Sequence, residues 1–329
     1  MKIKILNAID KLCSIMAAHP VTNATTLDNL YSNATLLERA ATFLATPHLA
    51  QPDEDIAQGV PYLYVGQGEA AYSFPRQHPL ALVSDDATTC CIIILASASC
   101  FCLAHVDSPS QVQFLFAHWE ASATHDPTAT TVSVVGGYQD EDQTGHGIVT
   151  AILHAMQSTA TCHYSVELWV NGVLNTIPPS EHAAHSLPRA RGALCVPTAD
   201  GLKVSAMDFA SGTYRGPLFN QRMACVSASP LHVLKTDAPL EISLGPYTRS
   251  WLRLGAADIA RYKWWIDQAP DTLFLRHWST SPFAEGPKFV DDIKARFQVA
   301  IDLVGRESVV QLTQRYRYDP ATKAWTIVV

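Results

Sequence analysis

The sequence predicts an α+β protein in which helices cover an antiparallel or mixed sheet system. Three observations carry that expectation. The runs Ile92–Leu95 and Cys100–Val106 are apolar, of strand length, and separated only by Ala96-Ser97-Ala98-Ser99, so they read as two strands joined by a tight turn. Further β-rich runs alternate along the chain with stretches of helical spacing. The 329 residues are 48 % apolar and 16 % charged, the make-up of a globular chain long enough for a real core.

The hairpin organises the rest. If Ser97 and Ala98 form a two-residue loop, Cys90 falls directly opposite His105, where facing Cβ atoms are roughly 4.5–5.5 Å apart. Alternation puts Cys90, Ile92, Ile94, Phe101, Leu103 and His105 on one face, and Cys91, Ile93, Leu95, Cys100, Cys102 and Ala104 on the other. Both faces are apolar, as in a central hairpin covered on both sides. The turn lacks the Asn-Gly or Gly-X signal that pins a two-residue loop, and a slip of one residue in the pairing would turn His105 away from Cys90.

In chain order, residues 1–58 read as an accessory helical extension, with helices over Ile5–Ala18 and Thr35–Leu44, and Gln51-Pro52-Asp53-Glu54-Asp55 reads as a linker to a domain spanning 59–329. Strand character appears at Tyr62–Val65 and Leu80–Val83. Gln111–Ser122 has helical spacing, Thr131–Val135 is a strand ending in Gly136-Gly137-Tyr138, a helix is expected from Thr144 to Ser158, and a strand over His163–Val170. Residues 171–192, with Pro178-Pro179, His182 and His185, show no period and read as an insertion. Ala193–Pro197 and Leu202–Phe209 form a hairpin around Asp200-Gly201, and Leu240–Leu244 is a strand. Ala256–Gln268 and Pro287–Val304 are helices, the second opened by proline in its first turn. Val309–Tyr316 and Lys323–Val328 close the chain as a strand pair.

The net charge of −7 argues against nucleic acid or an anionic membrane as the main partner, and no apolar run reaches the ~20 residues of a membrane span. The eight cysteines include no Cys-x-x-Cys pair and no disulfide framework, which fits free thiols in a reducing compartment. Neither a signal peptide nor a transit peptide is indicated at the N-terminus. The cytoplasm is the expected location, with the nucleus also open, and a monomer is expected.

The run Ser84-Asp85-Asp86-Ala87-Thr88-Thr89-Cys90 resembles the signature of the protein N-terminal asparagine amidohydrolases. Other stretches occur in that family's order: Tyr64-Val65-Gly66-Gln67 with Glu69, Gly136-Gly137-Tyr138 with Asp140, Gly245-Pro246-Tyr247, and Ser279-Thr280-Ser281-Pro282-Phe283-Ala284-Glu285 with Phe289-Val290. The resemblance spans residues 60–295. It implies hydrolysis of the side-chain amide of an N-terminal Asn to Asp, with proteins or peptides beginning in Asn as partners and the product feeding an N-degron pathway. The spacing of Ser84, Cys90 and His105 is also similar to that of the wider group of cysteine deamidases, which includes the chemotaxis-receptor deamidase and the cytotoxic necrotizing toxins. That similarity implies an α-β-β-α sandwich.

Amide hydrolysis near neutral pH needs a nucleophile stronger than water and an acid for departing ammonia, roles that a Cys–His pair can fill. Cys90 would attack, His105 would act as acid and base and lower the Cys90 pKa, and Ser84 would orient His105 or else merely cap a turn. Cys91, on the opposite face, reads as core. A backbone donor near Gly136 and Gly137 would join the Cys90 amide in holding the oxyanion. Asp85 and Asp86 are the nearest acids for the substrate α-ammonium, or a solvated turn, and Ser279 and Ser281 are further candidates for substrate binding. His182 and His185 have no evident third ligand, so neither metal nor cofactor is expected. Two other readings stay open: a deamidase of internal Gln or Asn in a folded partner, and a non-catalytic adaptor that binds N-termini.

Overall fold

The computed structural model describes residues 18–328 except 52–55, 57–59, 77–78, 123–128, 160, 181–183, 200, 211–212, 226–230, 239, 246–253 and 305–312. The strands are β1 (His19–Pro20), β2 (Tyr62–Tyr64), β3 (Glu69–Ser73), β4 (Ala81–Ser84), β5 (Cys91–Ala96), β6 (Phe101–Val106), β7 (Ala129–Tyr138) and β8 (His163–Gly172). They continue with β9 (Thr176–Ile177), β10 (Leu187–Pro188), β11 (Ala193–Thr198), β12 (Gly201–Ala206), β13 (His232–Ala238), β14 (Glu241–Leu244), β15 (Gln314–Asp319) and β16 (Ala324–Ile327). The helices are α1 (Leu27–Ser32), α2 (Ala34–Ala45), α3 (Pro109–Ala121), α4 (Thr144–Ser158), α5 (Phe219–Cys225), α6 (Ala256–Asp267), α7 (Asp271–Trp278) and α8 (Phe289–Asp302).

The fold is α+β. A ten-stranded mixed sheet runs β1-β8-β7-β5-β6-β3-β13-β14-β15-β16, and a four-stranded sheet runs β12-β11-β4-β2. The apolar hairpin is at the middle of the large sheet, as its two-sided burial requires. Ile92, Ile94, Phe101 and Leu103 pack with Leu63, Leu82, Ala193 and Cys195 in the core between the sheets. Cys91, Ile93, Leu95 and Cys102 face the other way, into a core shared with Leu115 and Trp119 of α3 and Ile148 and Ile152 of α4. On the outer side of the small sheet, Tyr62, Tyr64, Val83 and Phe209 form a third cluster with Phe219 of α5.

The pairing within the hairpin differs from the expected one by a whole period. Ile92, not Cys90, stands opposite His105, and Ala96 stands opposite Phe101. Ser97 N–H donates to Cys100 O at 2.8 Å, so the tip of the loop is Ala98-Ser99 rather than Ser97-Ala98. Moving the tip by one residue moves the partner by two, and a shift of two preserves the faces. Cys90 and His105 therefore remain on the same side, as diagonal rather than direct neighbours.

Two of the segments that carry the chain between the sheets cross at the His105 end of β6. Residues 65–68 lead from β2 to β3: Val65 N–H donates to Val83 O at 2.7 Å in the small sheet, and Gly68 N–H to His105 O at 2.8 Å in the large one. Residues 85–90 lead from β4 to β5. The segment 171–192 is tied to this second crossing, because buried Asn175 bonds both backbone groups of Ala190 and Arg191 O accepts from Ala87 N–H at 2.8 Å.

β3, β13, α5 and α7 escape the sequence pattern. β3 reads Glu-Ala-Ala-Tyr-Ser, with alanines in place of β-branched residues, yet all five are buried. Helix α8 begins at Phe289, after Pro287 rather than with it. Residues 19–45, expected to be accessory, are packed into the shared cores through Leu30, Leu36, Ala40 and Phe43. The expected Ile5–Ala18 helix (apart from Ala18) and Pro52–Asp55 lie outside the described residues, as do His182, Pro246 and Tyr247.

Trp119 is fully buried, stacks on Tyr72 with ring centroids 6.0 Å apart, and donates its Nε1–H to Thr130 Oγ1 at 3.0 Å. Trp119→Ala is expected to cost about 3–5 kcal/mol in urea unfolding; a loss below about 1 kcal/mol would show that the α3 side of the sheet is not a close-packed core.

Candidate active site

Ser84 ends β4 in the small sheet and His105 lies near the end of β6 in the large one. Ser84 Oγ and His105 Nδ1 are 2.9 Å apart. The imidazole is 2 % exposed, and among the described residues its Nε2 makes no hydrogen bond. Burial strips water from the charged form and lowers the His105 pKa from 6.5 to about 4, so the ring is neutral at neutral pH.

Cys90 sits one residue before β5, on the His105 face, and its thiol is buried. Burial, followed by the negative charge of Asp107, raises its pKa well above that of a free thiol. The expectation that His105 would lower it is not met: a neutral imidazole brings no charge to stabilise a thiolate, and desolvation wins. At rest the pair is a thiol beside a neutral base. Cys91 points into the opposite core, where burial alone raises it to about 12.

The crossing from Ser84 to Cys90 is bonded at nearly every residue. Asp85 is fully buried; Tyr64 Oη donates to its Oδ1 at 2.7 Å, Phe209 N–H to its Oδ2 at 2.9 Å, and Lys288 Nζ also binds Oδ2. Asp86 turns the chain at φ +60° and lies 3.3 Å from Lys288 and 3.7 Å from Arg215. Desolvation and the Asp85 charge raise the Asp86 pKa against the pull of those two cations. Ser281 Oγ–H donates to Thr88 Oγ1 at 2.7 Å, and the hydroxyls of Thr89 and Thr280 are 2.8 Å apart. Ser279 donates to Glu285, and its Oγ accepts from Ser281 N–H at 2.8 Å. The 279–285 loop thus rests directly on the residues preceding Cys90.

Gly136 pairs with Cys91 across β5 and β7. Its φ is +99°, and a Cβ there would come within 2.7 Å of Cys90 O. Gly137, at φ +60°, would bring a Cβ within 2.8 Å of Cys91 Sγ. Backbone this close to the thiol segment needs glycine. Asp140 completes this stretch by accepting from Thr144 and Gly145 N–H, both at 2.9 Å, at the start of α4.

Asp85, Asp86 and Asp208 together present oxygens in the arrangement of a cation site. Lys288 Nζ occupies it, bound to Asp85 and 3.5 Å from Asp208, and an ammonium in that position leaves a metal no role there.

A family model described as protein N-terminal asparagine amidohydrolase matches residues 52–326. The chain belongs to the protein N-terminal asparagine amidohydrolase family. Members so named from Sus scrofa and Homo sapiens are 29 % and 28 % identical to it over 242 residues, 71 % of this chain and 72 % of each relative.

Within this amidohydrolase family fold, the structure brings Ser84, His105, Cys90, Gly136 and the Ser279–Ser281 loop to one end of the sandwich. Asp85 is there too, with its oxygens committed to internal donors. Sequence reasoning missed Lys288, which caps no motif and gave no signal, and Asp107, hidden two residues after His105. It also missed the buried Glu69–Arg222 pair, 3.4 Å apart, under the first crossing. Glu69 Oε2 accepts from Gly66 N–H and Arg222 Nη2 donates to Tyr64 O, both at 2.9 Å.

Lys288→Met would leave Asp85 as a buried charge without its counter-ion and is expected to cost about 3–5 kcal/mol in urea unfolding. Adding Asp85→Asn should recover much of that loss; a double variant no more stable than the single one would contradict the pairing.

Proposed function

We propose that this chain is a thiol hydrolase that converts an N-terminal Asn of proteins or peptides to Asp, releasing ammonia. The observation that carries the proposal is the buried Ser84–His105 hydrogen bond on the face that Cys90 shares, which leaves the other imidazole nitrogen without a hydrogen-bond partner among the described residues. With the proton on Nδ1, donated to Ser84 Oγ, Nε2 keeps its lone pair as a base.

Cys90 Sγ adds to the side-chain carbonyl carbon of Asn while its proton passes to His105 Nε2. The C–N bond breaks as the imidazolium returns that proton to the departing nitrogen, which leaves as ammonia. Water then adds to the thioester, giving its proton to His105. The C–S bond breaks, the thiol is restored and the substrate carries Asp. The Cys90 N–H and a donor from Gly136–Gly137 hold the developing oxyanion. Family membership supports the substrate, which the curated relatives carry in their names. The proposed setting is the cytoplasm, with the nucleus also open, where the new N-terminal Asp would enter N-degron turnover; the absence of a Cys-x-x-Cys pair or disulfide framework in the sequence supports a reducing compartment.

A synthetic peptide beginning in Asn should release ammonia, and its Nα-acetylated form should not. Cys90→Ala and His105→Ala should each abolish the reaction; substantial turnover by either would refute the assigned roles.

The pH profile follows from the lowered imidazole. His105 must be neutral to accept the thiol proton, so the acid limb of kcat/KM should fall near pH 4, below the 6.5 of an ordinary histidine. The basic limb should fall at about 7.7–8.0, where the substrate α-ammonium loses its proton. An acid limb between about pH 6 and 7 would mean that the working base is not this buried ring.

A further inference from the structure

The carboxylates named on one side of Cys90 each have a cation beside them, and the one on the other side does not among the described residues. In the crossing loop, Asp85, Asp86 and Asp208 answer to Lys288, and Asp86 and Asp292 to Arg215. Asp107 has no such answer. It forms no ion pair among the described residues, and its polar neighbours are neutral: Gln67 Nε2–H donates to its Oδ2 at 2.9 Å, and its own N–H donates to Gln111 Oε1 at 2.9 Å. Its Oδ1 accepts no hydrogen bond among the described residues.

Its position is set by the hairpin. Asp107 follows His105 by two residues, and continuing the β5–β6 register by one rung places it across from Cys90. Facing side chains on such a rung have Cβ atoms roughly 4.5–5.5 Å apart. Gln67 fixes the carboxylate from the other crossing, where its backbone bridges to His105. A half-buried, uncompensated carboxylate beside a sulfur that must become negative works against the nucleophile. That placement is useful once a cation arrives with the substrate.

We infer that Asp107 seats the α-ammonium of the substrate's first residue and, by its fixed distance from Cys90, selects Asn. The inference rests on the proposed function and names the recognition element of the same site. Three bonds separate the α-nitrogen of Asn from its amide carbon, and four separate them in Gln. With one end held at Asp107 and the other at Cys90 Sγ, the longer chain overshoots the sulfur. An internal Asn has no ammonium to offer. Glu285 is the other acid whose charge reaches Cys90, but it accepts hydroxyls from Ser279 and Ser281 and lies in the field of Arg191 and Arg296. Asp107 alone of the two lacks such compensation among the described residues.

The test compares kcat/KM for an Asn-initiated peptide and its Nα-acetylated form in wild type, Asp107→Asn and Asp107→Glu. Asp107→Asn should raise KM about ten- to a hundredfold with a smaller change in kcat, and should collapse the preference for the free N-terminus. Alkylation of Cys90 by iodoacetamide, a neutral reagent with no ammonium, should proceed at least as fast as in wild type. Asp107→Glu should keep the preference for the free N-terminus while narrowing that for Asn over Gln. An Asp107→Asn protein that still discriminates against the acetylated peptide overturns the inference, and if that variant does not fold, unchanged Asn-over-Gln selectivity in Asp107→Glu does so. Failure of wild type to release ammonia from the Asn peptide would instead sink the proposed function.

Discussion

One hydrogen bond joins the two sheets where the chemistry is placed. Ser84 belongs to the small sheet and His105 to the large one, and their contact fixes the imidazole about both its position and its tilt. The ring is held in a layer from which water is excluded, and that exclusion decides its chemistry. It stays neutral, ready to accept a proton rather than carrying one. The thiol nearby is protonated for the same reason. The site is therefore at rest until a substrate alters its electrostatics, and the uncompensated charge of Asp107 suits that arrangement.

The segment between Ser84 and Cys90 owes its shape to a buried cation. Lys288, at the head of α8, reaches Asp85, lies near Asp86 and Asp208, and also donates to Phe209 O at 3.0 Å. Each member of the Ser-Asp-Asp-Ala-Thr-Thr-Cys run then has a physical task. Asp85 anchors the loop, Asp86 reverses it, Ala87 leaves room beside Gly136, and the two threonines receive the 279–285 loop. Loop backbone held this closely keeps the Cys90 sulfur in one position, which under the proposed mechanism spares the entropy of finding it during reaction.

Much of this was legible in the chain. The central hairpin announced itself through two apolar runs with both faces apolar, and its face assignment survived even though the loop tip moved by one residue. The period of two explains why: an even shift in pairing leaves Cys90 and His105 on one side. Helix α4 was legible from its apolar stripe, which buries Ile148, Val149, Ile152, Leu153 and Met156. β3 was invisible because its burial comes from the tertiary setting and not from β-branched residues. Lys288 was invisible because a lone lysine before a helix looks like any solvated residue, and only the fold brings three carboxylates to it. Asp85 was read as a ligand for substrate when its oxygens serve the loop itself.

The most direct test is to trap the nucleophile. A peptide whose first residue is an Asn analogue, with a chloromethyl ketone in place of the side-chain amide, should alkylate the full chain at a single cysteine. Mass mapping should find the label on Cys90, with labelling suppressed by excess Asn-initiated peptide and lost in Cys90→Ala. A label on Cys91 or on any other of the eight cysteines would contradict the account at its centre.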